Sequence, residues 1–266
     1  MKKLSLTSNA ARNHQELFPD HESRLQETDP EFIELFDNFA FGEVISHSRL
    51  DARTRMLMIL GSTIAAKGLG EFRIMLGAAL NVGLTPVETK EVLYHAVPYV
   101  GVAQVIDFLD ATNEVLQARG ISLPLAGQST TTTKTRFDKG VAAQKAIFGD
   151  AIEKMRKSAP SDEGHIQDFL SANCFGDYYT RAGLDIQTRE LLTFALLVSL
   201  GGCQPQVKSH VVGNVKMGND RECLIDVVTQ LLPYIGYPRS LNALQAIDEA
   251  APLVEAAADC DPRTDH

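Results

Sequence analysis

Cysteine is scarce in this sequence, and its spacing excludes several kinds of site. Among 266 residues, the four cysteines are Cys174, Cys203, Cys223 and Cys260. No two of them have the two-residue spacing of a zinc knuckle or of a thioredoxin-like redox motif. A disulfide framework is also unexpected in a chain of this length with so few cysteines. We therefore expect a reducing compartment.

Long apolar runs and basic clusters are missing as well. No apolar run reaches the ~18 residues that a membrane-spanning helix requires, and the N-terminus lacks the apolar core of a signal peptide. The chain has 25 Lys and Arg residues against 34 Asp and Glu, and its net charge of -9 repels phosphate backbones. These absences predict a soluble, cytoplasmic protein that binds neither membranes nor nucleic acids.

The motifs of metal and nucleotide sites are also absent. The histidines form neither a His-x-x-x-His nor a His-Glu-x-x-His set. Gly68-Leu69-Gly70 is followed by no third glycine at the spacing of a dinucleotide-binding loop. We therefore expect a small-molecule substrate, no metal ion and no cofactor.

What the sequence does contain is an internal repeat. Phe41-Gly42-Glu43 returns 134 residues later as Phe175-Gly176-Asp177, and the block from Leu50 to Arg55 returns at the same offset from Leu184 to Arg189. Pro98-Tyr99-Val100-Gly101 returns 135 residues later as Pro233-Tyr234-Ile235-Gly236. Ordered matches at nearly one offset predict two homologous halves, with one residue inserted near Gly201-Gly202-Cys203.

The repeat divides the chain into four predicted segments. They are a first repeat at residues 1–118, a linker at 119–135, a second repeat at 136–258 and a solvated tail at 259–266. The linker combines proline and glycine with four consecutive threonines and has no hydrophobic periodicity.

Both halves are predicted to be helical. Residues 57–66 and 191–198 are apolar on every side, which is typical of buried core helices. Asp51 and Asp185 precede these runs as natural N-caps. No alternating strand pattern occurs, and the sequence therefore predicts an all-α fold.

Two further signals concern the ends of helices. Thr85-Pro86-Val87-Glu88 has the residues of a capping box with proline at the first helical position, and the stretch from Asn219 to Glu222 is predicted to repeat this device. Pro98 and Pro233 interrupt apolar helical patterns, and each is expected to kink or break its helix.

Together these blocks resemble the carboxymuconolactone decarboxylase family, within the alkylhydroperoxidase D-like superfamily. The resemblance covers nearly the whole chain, once per half. It implies two homologous all-α repeats with the alkylhydroperoxidase D-like fold. Single-repeat members typically form hexameric rings, so the resemblance also implies a homo-oligomer, a pseudo-hexameric trimer.

The stretch from Gly202 to His210 is the most informative for chemistry. On a helix, Cys203, Gln206 and His210 would share one face because they are spaced three and four residues apart. Decarboxylase-type relatives usually carry Glu-x-x-x-His here, whereas peroxidase-type relatives carry Cys-x-x-Cys-x-x-x-His. This sequence departs from both patterns. In the first half, Glu71 keeps the acid and Met75 replaces the histidine.

His210 and Gln206 carry the first interpretation, which is cofactor-free decarboxylation. An imidazole that titrates near neutral pH can protonate the carbanion left by loss of CO2. Gln206 can donate a hydrogen bond to the developing oxyanion, and Glu71 is assigned to substrate binding in the other half. The structural alternative for His210 is a buried ring that bonds a backbone carbonyl.

Cys203 and Glu190 carry the second interpretation, a peroxidase or thiol oxidoreductase. A thiolate activated by His210 can reduce a peroxide, and Glu190, thirteen residues before Cys203, would match the proton-relay glutamate of the peroxidase-type relatives. The alternatives are a small buried hydrophobe for Cys203 and an ion-pair partner of Arg189 for Glu190.

Arg189, with its counterpart Arg55, can anchor a substrate carboxylate in a bidentate manner. The alternative is an intra-repeat ion pair with Asp177, matched by Glu43 in the first half. Three functions follow from these patterns. They are a carboxy-lyase acting on a small cyclic acid or lactone, a Cys/His-dependent peroxidase, and a catalytically silent oligomeric ligand-binding protein.

Overall fold

The computed structural model describes residues 5–21 and 23–253, and this part of the chain is helical without strands. The helices of the first half are α1 (Ser8–Leu17), α2 (Leu25–Thr28), α3 (Pro30–Asp37), α4 (Ala52–Ala65), α5 (Leu69–Asn81), α6 (Pro86–Val100) and α7 (Val102–Ala118), with a π-helical segment, Asn38–Val44, between α3 and α4. The all-α prediction is confirmed.

The second half repeats this order of elements. Its helices are α8 (Arg136–Phe148), α9 (Ala151–Ser158), α10 (Gly164–Phe169), α11 (Ile186–Leu200), α12 (Gln204–Lys216), α13 (Arg221–Ile235) and α14 (Tyr237–Ala250), with a π-helical segment, Leu170–Tyr179, between α10 and α11. The helices from α4 to α7 correspond to those from α11 to α14, and α1 corresponds to α8. Within the described helices, none is both long and apolar enough to span a bilayer.

The core is built around α4 and α11, the two helices that the sequence marks as apolar on every side. They pack against each other, and their buried residues belong to one hydrophobic cluster that includes both repeats. The side chains of Asp51 and Asp185 accept hydrogen bonds from the backbone N–H groups of Thr54 and Thr188, which confirms both predicted N-caps. The two repeats therefore share one core.

The capping box at Thr85 is present in full, since Thr85 and Glu88 exchange side-chain-to-backbone hydrogen bonds. In the second half only the N-cap is repeated, by Asp220, because Cys223 stands where the returning glutamate would be. The prediction that Pro98 and Pro233 break their helices is wrong. Each lies in the last turn, where a proline removes one backbone bond, and the helices continue to Val100 and Ile235.

Helix α8 lies directly against the π-helical segment 170–179. The two backbones approach so closely that a Cβ on Gly140 would stand 1.8 Å from the carbonyl oxygen of Ser171. Only glycine permits this contact, which fixes the position of α8 and of Phe148 at its end.

No helix lies between α7 and α8, where the linker is predicted. This stretch is bonded to the second repeat, because Gln128 accepts a hydrogen bond from the backbone N–H of Ala182 and Thr130 Oγ1 donates to the carbonyl of Thr180. The predicted tail at 259–266, which contains Cys260, lies outside the described residues.

Candidate active site

A largely apolar pocket of about 510 Å³ lies in the second half of the molecule. The second repeat contributes most of its walls, including Phe148, Met155, Phe175, Gln206 and His210, and the first repeat contributes Pro98 and Tyr99 from the end of α6. The pocket is therefore complete only when both repeats are present.

His210 and Glu190 form a hydrogen-bonded pair at the wall of this pocket. His210 Nδ1, on α12, lies 2.9 Å from Oε2 of Glu190, on α11. Glu190 is fully buried, whereas His210 retains 8% of its surface, at the pocket. Because a carboxylate accepts hydrogen bonds, it fixes the proton on Nδ1 and leaves Nε2 for a ligand. The alternative partner for Glu190, Arg189, is not the one that the structure shows.

The carboxylate of Glu190 is held from several sides. Tyr179 Oη donates to its Oε1 at 2.6 Å. Asn214 Nδ2 donates to the backbone carbonyls of Glu190 and His210, at 3.0 and 2.7 Å, and so ties α12 to α11. Gly213 leaves the space that the carboxylate occupies, since a Cβ there would lie 2.7 Å from Glu190 Oε2. The pair is thus preorganised by its surroundings.

A buried chain of hydroxyl groups leads from Glu190 into the first repeat. Thr193 Oγ1 donates to Tyr99 Oη, and Tyr99 Oη donates to Tyr179 Oη, both at 3.0 Å. His95 Nε2 lies 2.8 Å from Thr193 Oγ1. Because Thr193 gives its proton to Tyr99, His95 must be the donor to Thr193, with its proton on Nε2.

Every member of this chain is uncharged. Burial, assisted by the nearby Arg189 guanidinium, lowers the pKa of His95 well below its ordinary value. Burial raises the pKa values of Tyr99 and Tyr179 well above theirs. Sequence reasoning missed these residues, although Tyr99 belongs to the repeated Pro-Tyr-x-Gly block and that repetition was the available signal.

Gln206 lies one turn before His210 and lines the same pocket, as the helical spacing predicts. Cys203 does not, because it precedes α12 in a non-helical conformation, with φ −127° and ψ 42°. Its thiol points to the carbonyl oxygen of Leu197, 3.2 Å away, and it is not part of the pocket wall. The expectation that Cys203 shares a helix face with His210 is wrong.

The environment of the thiols does not favour thiolate chemistry. Burial raises the pKa of Cys203 and raises that of Cys174, which does line the pocket, to about 12. A peroxidatic cysteine needs the opposite shift. Within the described residues, no group of three or more His, Cys, Asp or Glu side chains is arranged to hold a metal ion.

Arg189 is placed away from substrate, in contrast to its prediction as a carboxylate anchor. Its side chain is fully buried, and Nη2 donates to Glu91 Oε2 at 2.8 Å and to the carbonyl of Arg181 at 2.9 Å. The predicted intra-repeat pair with Asp177 is also wrong, because Asp177 pairs with Arg136. Glu91 belongs to the first repeat, so Arg189 joins the two repeats.

Glu71 lies in a different pocket, of about 340 Å³, in the first half. Pro233 and Tyr234 of the second repeat close this pocket, just as Pro98 and Tyr99 close the other. Met75, 135 residues before His210, stands at the position of the histidine. Met56, 134 residues before Glu190, stands at the position of the glutamate. The first pocket therefore lacks the His–Glu pair.

Comparison with known proteins gives a consistent picture. The sequence model of the carboxymuconolactone decarboxylase family matches residues 30–114 and residues 165–249, once in each half and over more than half of the chain. The prediction of two homologous repeats of this type is confirmed.

Two relatives are decarboxylases by name. The 4-carboxymuconolactone decarboxylase of Acinetobacter baylyi is 31% identical over 115 residues, which are 43% of this chain and 85% of that protein. The nitrosuccinic acid decarboxylase of Metarhizium robertsii is 31% identical over 83 residues, which are 31% of this chain and 58% of that protein.

A solved structure from Burkholderia xenovorans, which bears the name of a gamma-carboxymuconolactone decarboxylase subunit, has a similar fold. It superposes with a TM-score of 0.53 at 19% identity and covers 88% of this chain and 94% of its own. At this identity the likeness concerns the fold alone.

Proposed function

The chain belongs to the carboxymuconolactone decarboxylase family, and from that premise we propose that it is a cofactor-free decarboxylase of a small cyclic carboxylic acid or lactone, with His210 as the proton donor. The observation that carries the proposal is the Glu190–His210 pair, which leaves Nε2 of an oriented imidazole at the wall of an apolar pocket. The decarboxylase names of two relatives support the same reaction class.

The reaction begins with cleavage of the bond between the ring carbon and the carboxylate. CO2 leaves, and the electron pair of that bond moves into the conjugated carbonyl of the substrate as a dienolate. His210, as the imidazolium, then transfers the proton on Nε2 to carbon and becomes neutral. Solvent returns a proton to Nε2 for the next turnover.

Glu190 makes His210 suitable for this step. A buried carboxylate 2.9 Å from Nδ1 stabilises the positive charge of the imidazolium and holds the ring in one orientation. Tyr179 and Asn214 in turn hold Glu190 and the helix that carries His210. The arrangement is the one expected of a general acid whose geometry is set before substrate binds.

The apolar walls assist the first step. Among the lining residues of the pocket none is lysine or arginine, so a bound carboxylate loses water without gaining an ion pair. Its localised charge is dispersed as CO2 departs, and the transition state suffers less from that loss. Gln206, at the pocket wall one turn from His210, can donate its amide N–H to the dienolate oxygen.

Replacement of His210 tests the proposal directly. With 4-carboxymuconolactone and related lactone acids as substrates, His210→Ala should lower kcat by about 100-fold to 10,000-fold, the usual contribution of a general acid. Release of CO2 and loss of the lactone are the measurements. Cys203→Ser is the matched control and should keep the wild-type rate, because Cys203 lies outside the pocket wall.

Three outcomes would decide against the proposal. Unchanged turnover by His210→Ala removes the proposed proton donor. Loss of peroxide reduction in Cys203→Ser, with no lactone turnover by the wild type, identifies the peroxidase alternative. Absence of both activities over a broad substrate panel identifies a ligand-binding protein.

A further inference from the structure

The pocket of the first repeat has its own histidine and its own acids, placed differently from those of the second. His14, on α1, lines this pocket and lies 134 residues before Phe148, the ring that packs against His210 at 5.3 Å between centroids. The histidine of the first pocket therefore stands on the opposite wall from that of the second. This pocket is the counterpart of the active-site pocket in position but not in chemistry.

Two carboxylates face the interior of the first pocket. Asp37, at the end of α3, is only 4% exposed, and Glu71 lies on α5. Neither side chain accepts a hydrogen bond from a residue that the structure describes, and the nearest cationic partner of Asp37 is His14 Nε2, 3.7 Å away. A buried carboxylate without hydrogen bonds is unfavourable unless a ligand supplies the missing partner.

The charge of this pocket is negative. Burial lowers the pKa of His14, which is therefore mainly neutral at pH 7. Burial and the neighbouring Glu71 raise the pKa of Asp37 to about 6, so Asp37 is mainly ionised at pH 7. Among the described lining residues there is no lysine or arginine to balance the two acids.

Aromatic rings form the remaining walls. Phe18 and Phe36 each meet Phe41 edge to face, with interplanar angles of 68° and 87°, and Tyr234 meets Phe36 at 80°. Rings that meet at nearly right angles enclose a space on several sides. Ring faces attract cations because their π electrons carry a negative potential.

We propose that the first-repeat pocket binds a small organic cation, an amine or a quaternary ammonium that carries an apolar group. Asp37 and Glu71 neutralise the charge of the cation, and the rings of Phe18, Phe36, Phe41 and Tyr234 surround its apolar body. A substrate carboxylate is disfavoured here by the two acids. The two pockets of one chain thus select ligands of opposite charge.

A bare metal ion is a poorer occupant than an organic cation. The described residues include no group of three His, Cys, Asp or Glu side chains arranged to coordinate a metal. The pocket, at about 340 Å³, is also larger than an ion needs, and most of its wall is apolar. An ammonium group on an apolar body matches both properties.

Calorimetry with three probes of similar shape tests the proposal. The probes are benzyltrimethylammonium, its uncharged carbon isostere neopentylbenzene, and benzoate. We expect the ammonium to bind with an affinity at least tenfold above that of the isostere, and benzoate to bind outside this pocket or not at all. Equal binding of the ammonium and the isostere, or competition by benzoate, would overturn the proposal.

Variants of the two acids locate the site. Asp37→Asn keeps the shape of the side chain and should weaken the ammonium at least tenfold, and the double variant with Glu71→Gln should abolish binding. Glu31→Gln is the matched control, since it removes an exposed acid from the same helix, α3, outside the pocket. Should Asp37→Asn fail to fold, Glu71→Gln alone decides, because Glu71 is only partly buried. Full affinity in that variant contradicts the proposal.

The pH dependence provides a second readout, since the charge of this probe is permanent. Asp37 faces His14 from α1, His21 from the following loop, Glu71 from α5 and Tyr234 from α13. Affinity should fall as the pH drops through about 6, where Asp37 becomes protonated. His210→Ala should bind the probe as the wild type does, which separates this result from any failure of the decarboxylase proposal. A flat profile between pH 5 and pH 8 would contradict the role of Asp37.

Discussion

The two pockets occupy equivalent places in the two repeats, and each is closed by a Pro-Tyr pair from the other repeat. Their ionisable groups nevertheless come from different helices. In the second repeat the histidine stands on α12 and its acid on α11, whereas in the first the histidine stands on α1 and the acids on α3 and α5. A duplicated scaffold thus keeps the shape of a cavity while the residues that carry charge change independently.

The same difference separates the two equivalent arginines. Arg189 is fully buried, donates to three backbone carbonyls and pairs with Glu91, whereas Arg55 is only half-buried and its Nε has no hydrogen-bond partner among the described residues. Only one of the two copies joins the repeats. Substitutions at equivalent positions can therefore test how far the halves have diverged.

The largest expected effect is on stability. Arg189→Met should lower the free energy of unfolding by about 3 kcal/mol, because it leaves buried carbonyls and Glu91 without a donor. The matched variant Arg55→Met should cost about 1 kcal/mol or less, mainly from lost packing. Urea denaturation followed by circular dichroism measures both. Equal costs would mean that the two arginines do the same work.

The next effect is on catalysis. Glu190→Gln keeps a hydrogen-bonding side chain near His210 but removes the charge that stabilises its imidazolium, so kcat should fall by about 100-fold with little change in KM. Turnover of 4-carboxymuconolactone and its pH profile are the measurements. Met56→Gln changes the equivalent position of the first repeat and should not reduce kcat. A loss confined to KM would show that Glu190 acts in binding.

A smaller effect is expected from one methyl group on α12. Gly213→Ala places a Cβ about 2.7 Å from Glu190 Oε2 and should displace the carboxylate, with a loss of about tenfold in kcat. The first repeat already has alanine at the equivalent position, Ala78, where no glutamate needs the space. Ala78→Gly should cost about 1 kcal/mol of stability and leave kcat unchanged. Identical kinetics of Gly213→Ala and wild type would show that the site tolerates movement of Glu190.

The fold was largely predictable from local patterns. The repeat, the N-caps at Asp51 and Asp185 and the apolar runs depend on residues close together in sequence, and the structure has each of them. The prolines were misread because their effect depends on where the helix ends. Cys203 was misplaced for a similar reason, since α12 begins only at Gln204.

The candidate site was predictable only in part. His210, Gln206 and Glu190 stand out by type and spacing, and the structure brings them to one place. Their supports Tyr179 and Asn214, and the first-repeat residues Tyr99 and His95, do not stand out, because their contacts join helices far apart in sequence. His14 and Asp37 were missed because nothing local shows which wall of a pocket α1 and α3 will form.

The exchange of Pro-Tyr pairs between the repeats has a consequence for mutational mapping. Tyr99 is encoded in the half that lacks the His–Glu pair, yet it lines the pocket that contains this pair. A genetic screen for loss of turnover would therefore return substitutions in both halves of the gene. For the same reason, a fragment that carried only the second half would keep the proposed proton donor and still have an open, incomplete pocket.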